Sequence, residues 1–255
     1  MSELRRRIRA GERVIGTFGK IPDPHVVELL GLAGLDFVVA DQEHGAIGTS
    51  ALDLMVMAGR ATGLPVLVRG RDESAAALWP ALDLGAGGVM VPHVTSGEQA
   101  AAIAAAVRYV HGARGFSPSG RAGRYGTMGA AAYRSFADET NVILAQIEDR
   151  AAVDNLAGIA AQPDIDVLFV GPVDLALSLG CDAGSPELTE AIEAVIAAAR
   201  AAGKQAGLFV ASADEVERWS ARGVTVFVVG ADQSLLLSGA KTLMQQAAER
   251  SCGGE

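Results

Sequence analysis

Residues 34–44 read Gly34-Leu35-Asp36-Phe37-Val38-Val39-Ala40-Asp41-Gln42-Glu43-His44. An apolar run, Phe37–Ala40, breaks abruptly into polar side chains. Such a run, apolar at every position and too short for a helix, is expected of a strand covered on both faces. Seven more runs of this kind recur: Val14–Phe18, Pro65–Arg69, Gly88–Val91, Val142–Ile147, Val167–Val170, Ala206–Val210 and Val224–Val229. Between them lie Ala- and Leu-rich stretches with helical spacing, among them Ala51–Arg60, Gly97–Val107, Glu187–Ala202 and Ala213–Ala221. Thr49 or Ser50, Ser96, Ser185, Ser212 and Asp232 stand where helix N-caps are wanted. Gly63, Gly203 and Gly223 stand where helices stop. Eight strands alternating with helices predict parallel βαβ units joined by right-handed crossovers. An open doubly wound sheet would carry a Gly-rich turn after its first strand, whereas this one runs into Gly19-Lys20-Ile21-Pro22-Asp23-Pro24. The expected fold is a (β/α)8 TIM barrel, an α/β domain spanning residues 1–255, the usual size for that architecture.

Composition narrows the partners. The chain is 50% hydrophobic and 20% charged, so a large core is expected and disorder is not. Thirty acidic side chains against 21 basic ones give a formal charge of −9, which argues against nucleic acid as the main partner. Mean hydropathy is positive, yet no apolar run reaches the ~18 residues of a membrane span. The opening Met-Ser-Glu-Leu-Arg-Arg-Arg lacks the apolar stretch of a signal peptide. Cys181 and Cys252 sit far apart without metal spacing, and a reduced, cytoplasmic setting is the expectation. One connection is irregular: His111–Gly129 holds six glycines together with Arg114, Arg121, Arg124 and Tyr125. Topology assigns it to the N-terminal face as a solvated or oligomer-contacting loop; the alternative is an arginine delivered to a neighbouring subunit's site.

Chemistry in a barrel collects at the C-terminal ends of its strands. Here the second strand ends in Asp41-Gln42-Glu43-His44 and the third in Arg69, while the fifth carries Gln146 and Glu148. The sixth runs into Gly171-Pro172-Val173-Asp174. Glu148 and Asp174 are hard oxygen donors from neighbouring strands, suited to Mg²⁺ or Mn²⁺ more than to zinc. A cation there would polarise a carbonyl and acidify a coordinated water. The plainer alternative pairs Glu148 with Arg150 or Arg69. His44 carries an imidazole that could move a proton. Arg69 is a candidate for stabilising an enolate or carboxylate oxygen, or else closes a barrel-mouth salt bridge. Asp83, just before the fourth strand, reads as an ordinary helix-end carboxylate.

Three further segments complete the pattern: Pro65-Val66-Leu67-Val68-Arg69, Gly87-Gly88-Val89-Met90-Val91-Pro92 and Gly171-Pro172-Val173-Asp174-Leu175. With Asp41–His44 and Gln146-Ile147-Glu148 they resemble the HpcH/HpaI family of metal-dependent, class II pyruvate aldolases. That family includes 4-hydroxy-2-oxoheptanedioate and 2-keto-3-deoxysugar-acid aldolases, and the resemblance covers nearly the whole chain. It implies that Glu148 and Asp174 hold Mg²⁺ or Mn²⁺, with Co²⁺ a further candidate. His44 would serve the acid/base steps, and Asp83 would raise its basicity, against the plainer reading of that residue. Arg69 would stabilise the pyruvate enolate, and Gln146 and the backbone at Val173 would contact the keto acid. The resemblance also implies a hexamer, a trimer of dimers with the last helix exchanged; Leu235-Leu236-Leu237 and Leu243-Met244 suit that role, as they would suit ordinary packing on the barrel. Val173 replaces a common alanine and His93 a common methionine, departures that bear on aldehyde preference.

The expected reaction is cleavage of a 4-hydroxy-2-oxo acid to pyruvate and an aldehyde. An acyl-CoA lyase is the related alternative, though no basic groove for a nucleotide is visible. A non-catalytic phosphate-binding barrel would rest on Val229-Gly230-Ala231-Asp232, where Asp232 reads more simply as a helix cap. A Schiff-base mechanism needs a lysine at the mouth. Of Lys20, Lys204 and Lys241, the only lysines, Lys20 alone follows a strand end.

Overall fold

The computed structural model describes residues 2–252, with side chains for residues 2–249. Its strands are β1 (Val14–Gly19), β2 (Phe37–Asp41), β3 (Val66–Arg69), β4 (Gly88–Val91), β5 (Val142–Ile147), β6 (Val167–Val170), β7 (Gln205–Val210) and β8 (Val224–Ala231). Each pairs in parallel with its sequence neighbours, and β8 pairs with β1, so the sheet closes. A helix α1 (Glu3–Arg9) precedes the barrel. Around it run α2 (Pro24–Leu32), α3 (Thr49–Thr62), α4 (Ala75–Leu84), α5 (Gly97–Val107) and α6 (Ala130–Thr140). The ring continues with α7 (Arg150–Asp154), α8 (Leu156–Ala160), α9 (Pro172–Leu179), α10 (Pro186–Ala201), α11 (Ala213–Ser220) and α12 (Asp232–Cys252). The fold is the expected (β/α)8 barrel, and every strand lies within two residues of its expected bounds.

Strand alternation divides the core. Phe37, Val39, Leu67, Leu144 and Phe169 point into the barrel, while Val38, Ala40 and Val68 face the helices. The interior is filled rather than hollow. At Gly16 an added Cβ would lie 2.6 Å from the Phe37 ring, and at Gly207 2.5 Å from Phe169, so these glycines make room for the two large rings. Leu4 and Ile8 of α1 join the same cluster and stopper the N-terminal end. Beside them Asp166, 4% exposed, receives Arg5 Nε at 3.0 Å and Arg9 Nε at 2.8 Å. Arg5 thereby gains a paired charge in a place where burial alone depresses its pKa.

Ser96, Ser185 and Ser212 cap α5, α10 and α11 through their hydroxyls, as expected. Neither Thr49 nor Ser50 caps α3: the cap is Gly48, and both residues lie inside the helix. Asp232 opens α12, but its carboxylate accepts the N–H groups of Lys20 (3.0 Å) and Ile21 (2.9 Å) and so ties down the loop after β1. That exceeds the simple cap expected of it. The connection His111–Gly129 starts at the N-terminal face and folds along the outer flank of α4, where Gly115 lies beside Trp79. Arg114 donates to Asp83 in the last turn of α4 (2.8 Å), and Arg121 to Asp53 of α3 (2.5 Å).

Helix α12 contradicts ordinary packing on its own barrel. Every described side chain from Gln233 to Glu249 is exposed, including Leu236 at 68% and Met244 at 68%. Among the described residues no helix is long and apolar enough to cross a membrane. Cys181 is a free thiol, and the Cys252 side chain lies outside the described residues.

Candidate active site

Continuing the strand alternation toward the C-terminal ends carries Asp41, Arg69 and Gln146 inward, in step with Val39, Leu67 and Leu144. There they become a polar layer above the apolar ones, buried to 0%, 5% and 2% exposure. Glu148 follows β5 at 2% exposure, and Asp174 sits in the first turn of α9. A cavity of about 340 Å³ opens among them, with His44, Arg69, Gln146 and Asp174 on its polar side. Phe18, Phe169 and Phe209 form the apolar side.

Arg69 is held on three sides. Its Nε and Nη2 donate to the two oxygens of Asp41 at 3.0 and 2.7 Å, and its guanidinium lies 4.4 Å from the centroid of the Phe18 ring. Its Nη1 stands 3.1 Å from Glu43 Oε2. Burial pushes the Asp41 carboxyl up, but the hydrogen bonds and charge of Arg69, the His44 N–H and Lys20 outweigh it and hold the group below its usual range. Asp41 also accepts the N–H groups of Glu43 and His44 (3.1 Å each), which turns the chain and aims both side chains at the mouth.

Glu148 is the electrostatic centre. Its Oε1 accepts the His93 N–H at 2.9 Å and its Oε2 accepts Gln146 Nε2 at 2.5 Å. Desolvation pushes its carboxyl up to about 7, with the charges of Glu43 and Asp174 adding to the rise and His93 opposing it. Neither Arg69 nor Arg150 pairs with it; Arg150 instead reaches Leu179 O and Glu187. The plainer salt-bridge reading of Glu148 therefore fails. Gly171 packs close beside it, where an added Cβ would lie 2.5 Å from Glu148 Oε2 and displace that carboxylate. Gln146 Oε1 is buried and accepts no hydrogen bond among the described residues, the state of an acceptor whose donor or cation comes from a ligand.

The expected residues do not all meet. His44, Arg69, Gln146, Glu148, Val173 and Asp174 share one mouth. Asp83 does not join them. Since α4 runs antiparallel to the strands, its last turn lies at the opposite end of the barrel, where Asp83 binds Arg114. Within this chain it cannot raise the basicity of His44, whose nearest ionic neighbour is Glu43 at 3.7 Å.

Two contributors, Asp41 and Glu43, were not assigned roles from sequence. Asp41 anchors Arg69, a relation visible only once β2 and β3 pair with Asp41 opposite Arg69. Glu43 points inward with a side chain 12% exposed. His93 holds a left-handed φ of 53°, and its Nδ1 lies 2.9 Å from Asp149 Oδ2. Burial pushes this imidazole down, but Asp149, Glu148 and Glu43 together hold it above its usual value. Lys20 also lines the cavity, 3.4 Å from Asp41 Oδ2.

A closed barrel whose strand ends converge on an arginine, a histidine and crowded carboxylates has the layout of a barrel enzyme. The chain belongs to the HpcH/HpaI aldolase/citrate lyase family, whose model matches residues 15–239. It is 35% identical to a hydroxypyruvate/pyruvate aldolase of Pseudomonas aeruginosa, over 95% of this chain and 91% of that protein. A 5-keto-4-deoxy-D-glucarate aldolase of Klebsiella pneumoniae is 33% identical over 95% of each chain. Among solved structures, an HpcH/HpaI aldolase/citrate lyase family protein from Burkholderia cenocepacia superposes with a TM-score of 0.92 at 29% identity, covering 97% of this chain and all of that one.

Proposed function

We propose that this protein is a divalent-cation-dependent aldolase that reversibly cleaves a 4-hydroxy-2-oxo acid into pyruvate and an aldehyde. The observation that carries the reading is Glu148: a buried carboxyl raised to about 7, crowded by Glu43 and Asp174, at the same mouth as Arg69 and His44. Glu148 and Asp174 form no ion pair with an arginine or lysine among the described residues, and hard oxygen donors so placed suit a hard cation. The unpartnered Gln146 Oε1 and the space kept by Gly171 fit the same conclusion. Glu148 and Asp174 would hold the ion, with Mg²⁺ or Mn²⁺ favoured and Co²⁺ admissible. Among the described residues no three His, Cys, Asp or Glu side chains form a ready ligand cluster, so water and substrate oxygens would complete the shell. When bound, the cation would supply Lewis acidity to the keto acid.

The chain's own residues account for the rest. His44, half exposed on the cavity wall, takes the proton from the C4 hydroxyl as the C3–C4 bond breaks and the aldehyde leaves. The bonding electrons move onto C3 and the C2 oxygen. Arg69, fixed by Asp41 and Phe18 before substrate arrives, meets the negative charge that grows on that oxygen, so its interaction strengthens toward the transition state. Proton return to C3 yields pyruvate. Gln146 and the backbone at Val173 orient the keto acid, and the three phenylalanines keep water from the enolate. His93 and Val173 stand at the rim, where the aldehyde portion enters. The exposed leucines of α12 support a homo-oligomer in which that helix packs on a neighbouring barrel, as in a hexamer built as a trimer of dimers, and a cytoplasmic setting accords with the free Cys181.

The test isolates enolate formation from cleavage. Exchange of pyruvate methyl protons with solvent deuterium needs only the first. Arg69→Ala should depress exchange and cleavage together, on the order of 10²–10³. His44→Ala should depress cleavage by roughly 10²–10⁴ and exchange less. Normal exchange and cleavage in Arg69→Ala would overturn its assignment. A Schiff-base reading has one observation in its favour, the presence of Lys20 on the cavity wall. Against it, the ammonium is committed to an ion pair with Asp41.

A further inference from the structure

Of the titratable side chains lining the strand-end cavity, Asp174, Arg69 and His44 have roles in the proposed reaction and Lys20 has none. It is one of only three lysines in the chain, and its place is fixed by the fold. The buried Asp232 carboxylate accepts the Lys20 N–H at 3.0 Å and the Ile21 N–H at 2.9 Å, which pins the backbone where β1 ends. The side chain, 26% exposed, carries its ammonium to 3.4 Å from Asp41 Oδ2. That oxygen already accepts Arg69 Nη2 at 2.7 Å. The ammonium makes an ion pair with it but no hydrogen bond among the described residues, so its N–H groups remain for a ligand.

The order of residues around the mouth shows what this ammonium would meet. In the closed barrel β1 stands opposite β5. The keto-acid end of the substrate belongs beside Glu148 and Asp174, which follow β5 and β6. Arg69 on β3 takes the C2 oxygen, and His44 after β2 takes the C4 hydroxyl. Followed from β5 back toward β1, the polar groups thus fall in the order of the substrate's own oxygens. Lys20 is the next in that series, beyond C4. The wall around it is otherwise largely apolar, with Phe18, Phe169 and Phe209. An ammonium against apolar rings favours an anionic oxygen well above a hydroxyl or a methyl group.

We propose that Lys20 determines which aldehyde this protein uses, by holding a carboxylate at the end of the substrate remote from its keto acid. This assignment rests on the aldolase reading and narrows it: the substrate is a 4-hydroxy-2-oxo diacid, and the aldehyde released carries a carboxylate. A phosphate in the same place fits less well. Asp232 already occupies the amide end of α12, accepting the Gln233 N–H at 2.7 Å, so a dianion would face a carboxylate and a single ammonium.

Selectivity between matched aldehydes tests it. Aldol addition of pyruvate to 4-oxobutanoate and to its uncharged methyl ester is measured with Mn²⁺ in the wild-type protein, Lys20→Met and Lys20→Arg. The wild type should favour the acid by about tenfold in kcat/KM, the worth of one charge-assisted contact, mostly through KM for the aldehyde. Lys20→Met should erase that preference, and Lys20→Arg should keep most of it. Pyruvate methyl-proton exchange, which involves no aldehyde, is followed in each protein, and the change in selectivity should exceed any change in exchange. A wild type that treats acid and ester alike overturns the proposal, as does Lys20→Met with its preference intact. An equal loss with both aldehydes and in exchange also overturns it, and makes Lys20 a support for Asp41 and Arg69. Exchange without any preference leaves the aldolase reading standing without Lys20; a protein that neither exchanges nor condenses contradicts both.

Discussion

Arg69 reaches the mouth with most of its fork already engaged by Asp41, which makes Asp41 a positioning residue for it. Asp41→Asn keeps the shape but removes the charge, so Arg69 should be held less firmly. Enolate exchange should slow and KM for pyruvate should move less than kcat. Glu148 gives a pH signature. Its folded value of about 7 lies above the ordinary 4.5, so in the metal-free protein its contribution to stability is full below about 4.5 and is lost as pH rises through about 7. Glu148→Gln, neutral throughout, should flatten that loss in denaturant unfolding across the interval. Since a proton competes with the cation, Mn²⁺ affinity measured by calorimetry should fall as pH drops through about 7, and both Glu148→Gln and Asp174→Asn should weaken it. Unchanged Mn²⁺ binding in both variants would remove these residues as ligands. The polar residues at the strand ends were legible because barrel chemistry has a fixed address. Asp83 was not, because a motif match gives a residue type and a spacing but no end of the barrel.

At the scale of elements, continuous apolar runs gave the strands directly, since a strand buried on both faces has no polar side to blur its limits. What alternation also implied, that Asp41, Arg69 and Gln146 must share the inward face, follows once the register pairs β2 with β3 and β5 with β6. Loops carry no such periodicity. Neither the path of His111–Gly129 along α4 nor the tie between Asp232 and the loop after β1 could be read from residue order. The N-terminal stopper offers a stability test. Asp166→Ala would strand the buried Arg5 beside Arg108, whose Nη2 lies 3.8 Å from Asp166, and should cost about 3–5 kcal/mol in denaturant unfolding. Little change would mean that α1 does not close the barrel through this ion pair.

Taken whole, the molecule is a filled barrel with one polar end and a terminal helix that its own barrel leaves uncovered. The exposed leucine series on α12, like Leu29 and Leu32 on α2, leaves large apolar side chains in solvent, the kind of surface that marks an interaction site. Leu236→Glu with Met244→Glu should lower the mass seen in analytical ultracentrifugation; an unchanged mass would mean that α12 is not an assembly element. The central claim, however, is cation-dependent retro-aldol chemistry without a covalent lysine, and one assay addresses it most directly. Cleavage of a 4-hydroxy-2-oxo acid is followed after chelation, after restoration with Mn²⁺, and after borohydride treatment in the presence of pyruvate. Chelation should abolish cleavage, Mn²⁺ should restore it, and borohydride should leave it intact. Cleavage that survives chelation but is lost to borohydride and in Lys20→Ala would contradict the account.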